Sequence, residues 1–208
     1  MRIGFVSAMI IIAGMLGGCS IFGEEAAPEP EFNVVIAEPP FELRDYPALV
    51  LAKTSMSDGS SPAFRRLFDY ISGENGGKRK IAMTAPVIRN NAGTEIAMAA
   101  PVIRARRKLA DIDKDMAFIL TPEFSVDSAP KPTNPAIHIV EMPARRVAVI
   151  KFSGLASDDD IAAETESLHR WIDAAGLEET GPPEMAQYNP PWTIPSLRRN
   201  EVLMPIRY

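Results

Sequence analysis

Cysteine is nearly absent: Cys19 stands alone, so the chain forms no internal disulfide and has no cysteine-based metal site. Histidine is scarce too. Only His138 and His169 occur, and no His-Glu-x-x-His pattern contains them. Gly-x-Ser-x-Gly is missing as well, which removes the commonest signature of a serine hydrolase. Basic clusters are few, and 22 Lys and Arg against 27 Asp and Glu give a net charge of −5. Phosphate neutralisation needs clustered cations, so nucleic acid is excluded as a partner. Carboxylates are plentiful, but Asp158 to Asp160 and Glu178-Glu179 read as helix starts or solvated faces. An isolated acid in a groove leaves a hydrolase or dechelatase as the enzymatic alternative.

The first charge after Arg2 is Glu24, and Ile3 to Met15 is an apolar run of signal-peptide character. It ends in Leu16, Gly17, Gly18 and Cys19, a tetrad that resembles the lipobox of bacterial lipoproteins. Small side chains suit the peptidase beside the scissile bond, and the thiol becomes a thioether to diacylglycerol. Acyl chains buried at about 0.8 kcal/mol per CH₂ then make a durable anchor. An uncleaved spanning anchor is the alternative, since Ile3 to Phe22 is just long enough. Gly14, Gly17 and Gly18 break that run where a spanning helix favours Leu. Under either reading the body lies outside the cytoplasm. Ser20 in place of Asp after the cysteine implies the outer membrane, facing the periplasm. Residues 1–18 are thus expected to be a signal peptide, 19–37 a Glu-, Ala- and Pro-rich flexible tether, and 38–208 the folded domain.

Within that domain the pattern alternates. Phe41 to Thr54 reads as a strand and Pro62 to Ser72 as a helix, with Ser60 or Ser61 as its cap and Gly73 as its stop. Ala63, Phe64, Leu67, Phe68 and Ile71 form the apolar stripe of that helix, which by default is core. Strands are expected at Lys80–Ile88, Glu95–Ile103 and Met116–Leu120, and the proline-rich stretch from Thr121 to Pro135 reads as a connector. The order then recurs: strands at Ile137–Val140 and Arg146–Phe152, a helix at Asp158–Ala175, and a closing strand at Glu201–Ile206. Two tandem β-α-β-β units make an α+β domain with pseudo-twofold symmetry. A shorter repeat, AMTAPVIR at 82–89 and AMAAPVIR at 97–104, reads either as a hairpin of similar strands or as a device placing Met83 and Met98 near a ligand.

Four segments, in order, together resemble the SOUL haem-binding protein family. They are FELRDY at 41–46, AFRRLFDYISGEN at 63–75, KIAMTAPV at 80–87, and YNPPW at 188–192 with RRNE at 198–201. The resemblance covers nearly all of residues 38–208. It implies two β-α-β-β halves like the effector-binding domains of transcription activators, and a tetrapyrrole as ligand. By position it implies contacts from Phe64, Phe68 and Ile71 on the first helix, and from Tyr188 and Trp192 in the loop before the last strand. Some relatives carry histidine where this chain has Asp45, and others lysine where it has Asp69, so no axial iron ligand is identified. Arg65 and Arg66 are then the cations for a propionate. His138 and His169 each read first as surface or satisfied polar residues. The function implied is a membrane-tethered, extracytoplasmic carrier or scavenger of haem. A binding module for another flat apolar ligand or a peptide is the alternative.

Overall fold

The computed structural model describes residues 27–90 and 114–207. Cys19, the expected signal peptide, Met98 and the expected strand at Glu95–Ile103 lie outside them. The described elements are β1 (Asn33–Glu38), β2 (Phe41–Tyr46), β3 (Leu49–Ser55), α1 (Ser60–Ser72), β4 (Val87–Asn90), β5 (Asp115–Ile119), β6 (Ile137–Met142), β7 (Arg145–Phe152), α2 (Asp158–Ala174), β8 (Glu184–Gln187) and β9 (Asn200–Ile206), with a single 3-10 turn at Pro195–Leu197. The strands form one curled antiparallel sheet in the order β1-β2-β7-β9-β8-β4-β5-β3-β6.

That order contains the expected duplication. Leaving out β1, it reads the same from either end once β2 is matched with β6, β7 with β3, β9 with β5 and β8 with β4. The axis falls between β4 and β8, which pair Val87 with Gln187 and Asn90 with Glu184. Each half opens with a strand it does not keep. β2 pairs with β7 of the second half, and β6 pairs with β3 of the first. The cause is local. Pro47-Ala48 follows β2 and Pro143-Ala144 follows β6. Proline donates no ladder bond, and each two-residue link sends the chain onward instead of folding it into a hairpin.

Both helices lie on one face of the sheet. Ala63, Leu67, Tyr70 and Ile71 of α1 pack with Ala52, Met116, Phe118 and Ile137. Leu168 and Ile172 of α2 pack with Leu43, Ala148, Ile150, Val202 and Met204. In the β4–β8 register, Val87 of the first cluster and Met185 of the second fall on the same side. Ile88 and Ala186, directly opposite one another, belong to the clusters on the helix-free face. Gly59 rather than a serine stands before α1, at φ +108°, and Ser60 begins the helix. α2 has the stronger start: the Ser157 hydroxyl accepts from the Asp160 amide, the Asp160 carboxylate accepts from the Ser157 amide, and three aspartates meet the positive end of the helix dipole.

Three expectations change. The single strand expected over Phe41 to Thr54 breaks at Pro47. The strand expected from Lys80 starts only at Val87, because residues 80–86 run as an irregular segment beneath α1. Residues 33–37, expected in the tether, are part of edge strand β1, paired to β2 from Asn33 to Glu38. Its run of Val34, Val35 and Ile36 is apolar enough to join the sheet, and Ile36 packs on the second core cluster.

The exchanged strands tie the halves into one cooperative unit. Leu67→Ala in the first core and Leu168→Ala in the second, both fully buried, should each cost about 2–5 kcal/mol. Both should lower the midpoint of the same single transition. Separate transitions by circular dichroism and tryptophan fluorescence would show the halves to be independent.

Candidate functional site

On α1 the buried stripe is Ala63, Leu67, Tyr70 and Ile71, and the two phenylalanines flank it. Phe64 and Phe68 are 38% and 46% exposed, large values for rings on a packed helix. One turn apart, they lie nearly parallel, with centroids 6.1 Å apart and planes inclined by 15°. Phe64 is held edge-on against Phe118 of β5 at 5.3 Å. The result is a small apolar platform of two near-parallel rings on the outside of the helix. Arg65 projects beside it, exposed and without a hydrogen-bond or ion-pair partner among the described residues. Arg66 is spoken for: it donates to both Asp58 carboxylate oxygens, to the Thr54 hydroxyl and to the Ser55 carbonyl. Asp69 lines a polar hollow of about 550 Å³ at the end of the helix, with Glu74, Asn75, Lys78 and Thr133.

The other expected contacts sit differently. Ile71 is buried in the first core cluster, where its carbonyl accepts from the Ile81 amide. Met83 is partly buried against the same cluster, and neighbouring Thr84 donates its hydroxyl to the Ile119 carbonyl. Ala85, two residues on from Met83, packs on the helix-free face with Tyr188. Tyr188 is only 5% exposed and its hydroxyl donates to Glu201. Ile71 and Tyr188 are therefore core, not ligand surface. Trp192 is the reverse, 72% exposed, in a loop whose Pro195 carbonyl accepts from the Gly154 amide of the second half. The contacts of that loop run to the second half, away from α1.

Neither histidine stands by the platform. Ile137 and Ile139 face the α1 cluster, so strand alternation turns His138 to the opposite side. His169 on α2 pairs its Nδ1 with Glu179 Oε1 at 2.6 Å. Asp45 is held by a bidentate pair with Arg146 at 2.7 and 2.8 Å, and the Arg146 bonds keep its carboxyl below the usual range. No group of three His, Cys, Asp or Glu suited to a metal exists among the described residues.

A second constellation, which the sequence reading did not single out, occupies the helix-free face. The Arg44 and Glu201 side chains are fully buried and meet in a bidentate pair at 2.8 and 2.9 Å. Arg44 also donates to Glu42 and to the Tyr46 hydroxyl. Glu201 accepts further from Tyr188 at 2.6 Å and from Arg199 at 3.0 Å. Arg199 lies 3.8 Å above the Tyr188 ring and reaches Glu29 at 2.7 Å, while Arg44 lies over Phe32. Residues 27–32 are thus strapped across this face, with Ala27 and Phe32 packed on it. Burial pushes the Glu201 carboxyl up, but the Arg44 hydrogen bonds and the charges of Arg44 and Arg199 outweigh it and hold the carboxyl low. Burial and the Glu201 charge push the Tyr188 phenol well up. With every carboxylate oxygen occupied, the cluster is a clamp and not a reactive centre. Its one signal in the sequence is charge at inward strand positions, Arg44 after Leu43 and Glu201 before Val202.

Comparison with known proteins bears on both features. The model of the SOUL heme-binding protein family matches residues 27–205. No curated protein matches. Among solved structures, the EcmrR C-terminal domain is 12% identical, covering 80% of this chain and 96% of that one, with a TM-score of 0.56. An uncharacterized conserved protein from Listeria innocua is 12% identical over 87% of this chain and 94% of its own, at 0.51. A hydrolase encoded by lin2189 from Listeria innocua is 13% identical over 88% and 94%, also at 0.51. At these identities the likeness is one of fold, and it agrees with the expected resemblance to effector-binding domains.

Glu201→Gln should cost about 3–5 kcal/mol, since it leaves Arg44 buried without its counter-charge, and Arg44→Met with Glu201→Leu should restore most of the loss. Stability should also follow pH. The Glu201 contribution is complete above its ordinary 4.5 and is lost as pH falls through the lower folded value. The Tyr188 contribution is complete below its ordinary 10.0 and is lost as pH climbs toward the raised folded value. Tyr188→Phe should therefore weaken the alkaline limb of a urea-melt series and leave the acid limb in place.

Proposed function

The chain belongs to the SOUL heme-binding protein family, and on that footing we propose that it binds haem or a related tetrapyrrole on the outer face of α1. The observation that carries the reading is the Phe64–Phe68 platform, two near-parallel rings exposed on an otherwise packed helix. A porphyrin face burying about 400 Å² gains about 10 kcal/mol gross at about 25 cal/mol per Å². Association costs of about 4 kcal/mol or more leave about 6 kcal/mol at most, a dissociation constant of tens of micromolar or weaker. Arg65 is the free cation for a propionate, worth about 0–1 kcal/mol at an exposed position. Apolar stacking thus dominates.

The same geometry bears on iron. His138 faces away from α1, His169 is paired with Glu179 in the other half, and Asp45 is paired with Arg146. Phe64, Phe68 and Arg65 fit the flat ring and its propionate and offer the metal no ligand. A haem held there would find neither histidine within the same site, and the platform would discriminate little between haem and metal-free porphyrin. The alternative occupant, another flat apolar molecule, would use the same platform.

We further propose that Cys19 is lipidated and holds the domain at a membrane surface outside the cytoplasm, as a carrier or scavenger. The support is the sequence LGGC at 16–19 after an apolar run. Cys19→Ser should release the chain from the membrane fraction, and a chain that stays put after the change would leave the apolar run as its anchor.

Haemin and protoporphyrin should titrate the protein with affinities within about threefold of each other, since imidazole ligation adds nothing. Phe68→Asp should weaken both about tenfold or more, and Arg65→Ala only slightly. Absence of a saturable Soret shift with the wild-type protein, or indifference to Phe68→Asp, would remove the α1 site.

A further inference from the structure

We infer that Leu155, Trp192, Ile194 and Leu197 form a patch that enters the interfacial zone of the membrane to which the chain is tethered, an inference resting on the Cys19 anchor proposed above. These four side chains are 65%, 72%, 42% and 44% exposed, and among the described residues only Val126 joins them as a large apolar side chain exposed outside β1 and α1. The Gly154 amide donates to the Pro195 carbonyl at 2.9 Å, and Asn200 Nδ2 donates to the Gly154 carbonyl at 3.1 Å. Those bonds fix the loop bearing Leu155 against the loop bearing the other three. Arg198 closes the second loop from inside, donating to the carbonyls of Pro191 and Thr193. The apolar side chains are therefore displayed on a braced backbone. An exposed Trp with aliphatic neighbours on such a loop suits the membrane–water boundary, where an amphipathic indole is favoured.

The position of the tether supplies the occupant. Arg199, next to Arg198, holds Glu29 at 2.7 Å, so the chain leaves the described fold beside this loop. Seven residues lie between Cys19 and Ala27, making eight steps along the chain. At about 3.3–3.6 Å per residue they reach at most about 29 Å, whatever their conformation. An acylated Cys19 thus keeps this end of the domain at the bilayer. Asp158, Asp159 and Asp160 follow Leu155 closely, so the contact is with acyl chains and glycerol and not an attraction to anionic headgroups. It should be insensitive to salt.

The test uses the full-length chain with Trp171→Phe, which leaves Trp192 as the single tryptophan. It is mixed with zwitterionic phosphatidylcholine vesicles carrying bromine near the carbonyl end of the acyl chains. Trp192 emission should shift to the blue and fall about twofold, and Ile194→Ser with Leu197→Ser should abolish both changes. Unchanged emission from protein that floats with the vesicles overturns the inference while leaving the tether intact. Blue-shifted emission before lipid is added assigns the patch to a second copy and overturns it as well. The tether is read separately, from the mass of Cys19 and from flotation of the Cys19→Ser chain. Quenching that persists when Cys19 carries no lipid keeps the patch and discards the thioether anchor.

Discussion

The arrangement of the helix-free face depends on one interaction, the buried pair between Arg44 and Glu201. Two full charges inside an apolar sheet are costly to desolvate, and only a complete set of partners offsets that cost. Here the set is complete: Arg44 reaches Glu42, Tyr46 and Glu201, and Glu201 also takes Tyr188 and Arg199. The partners come from β2, from β9 and from the segments just outside β8 and β9. A single electrostatic knot therefore sets the register of distant parts of the chain, and through Arg199 and Glu29 it fixes the strap at residues 27–32.

The sheet has consequently two sides with different tasks. One is devoted to packing α1 and α2, and the sole departure from that task is the pair of rings left outside on α1. The other is covered by the strap and locked by charge. A ligand on the α1 surface proposed above would leave the core undisturbed, because Leu67, Tyr70 and Ile71 hold the helix in place from beneath. Binding at that proposed site would require no opening of the fold.

Much of this architecture was legible. α2 announced itself through its acidic first turn, Asp158 to Asp160, a local signal, and the structure adds the Ser157 cap. The duplication was legible in the order of elements. The exchange of first strands was not, because pairing of β2 with β7 is set by partners about a hundred residues away and by the Pro-Ala links, whose significance shows only in the sheet order. Lys80 to Pro86 has strand-like composition yet runs irregularly, since its place beneath α1 is decided by tertiary packing. On α1, periodicity alone put Phe64 and Phe68 in the same stripe as Ala63 and Leu67, and the structure sets them beside the buried row. A rotation of about 100° per residue separates the buried row from the exposed one, and Tyr70 completes the buried row in their place. Tyr188 and Ile71 share the motifs of the exposed residues, and only burial distinguishes them.

The sheet order has a consequence for biosynthesis. β9 is the last strand of the chain, yet it lies between β7 and β8, bonded to both. During synthesis β2 waits about a hundred residues for β7, and the edges of β7 and β8 that face β9 stay open until Asn200–Ile206 has been made. Neither half therefore completes its share of the sheet alone, since β2 needs β7 and β3 takes β6. The nascent chain carries unpaired strand edges until β9 is made, and those edges are templates for pairing with other chains. Holding factors that keep the chain extended until β9 is made would suit such a protein, and a stop before Asn200 should yield aggregates and not a shortened domain.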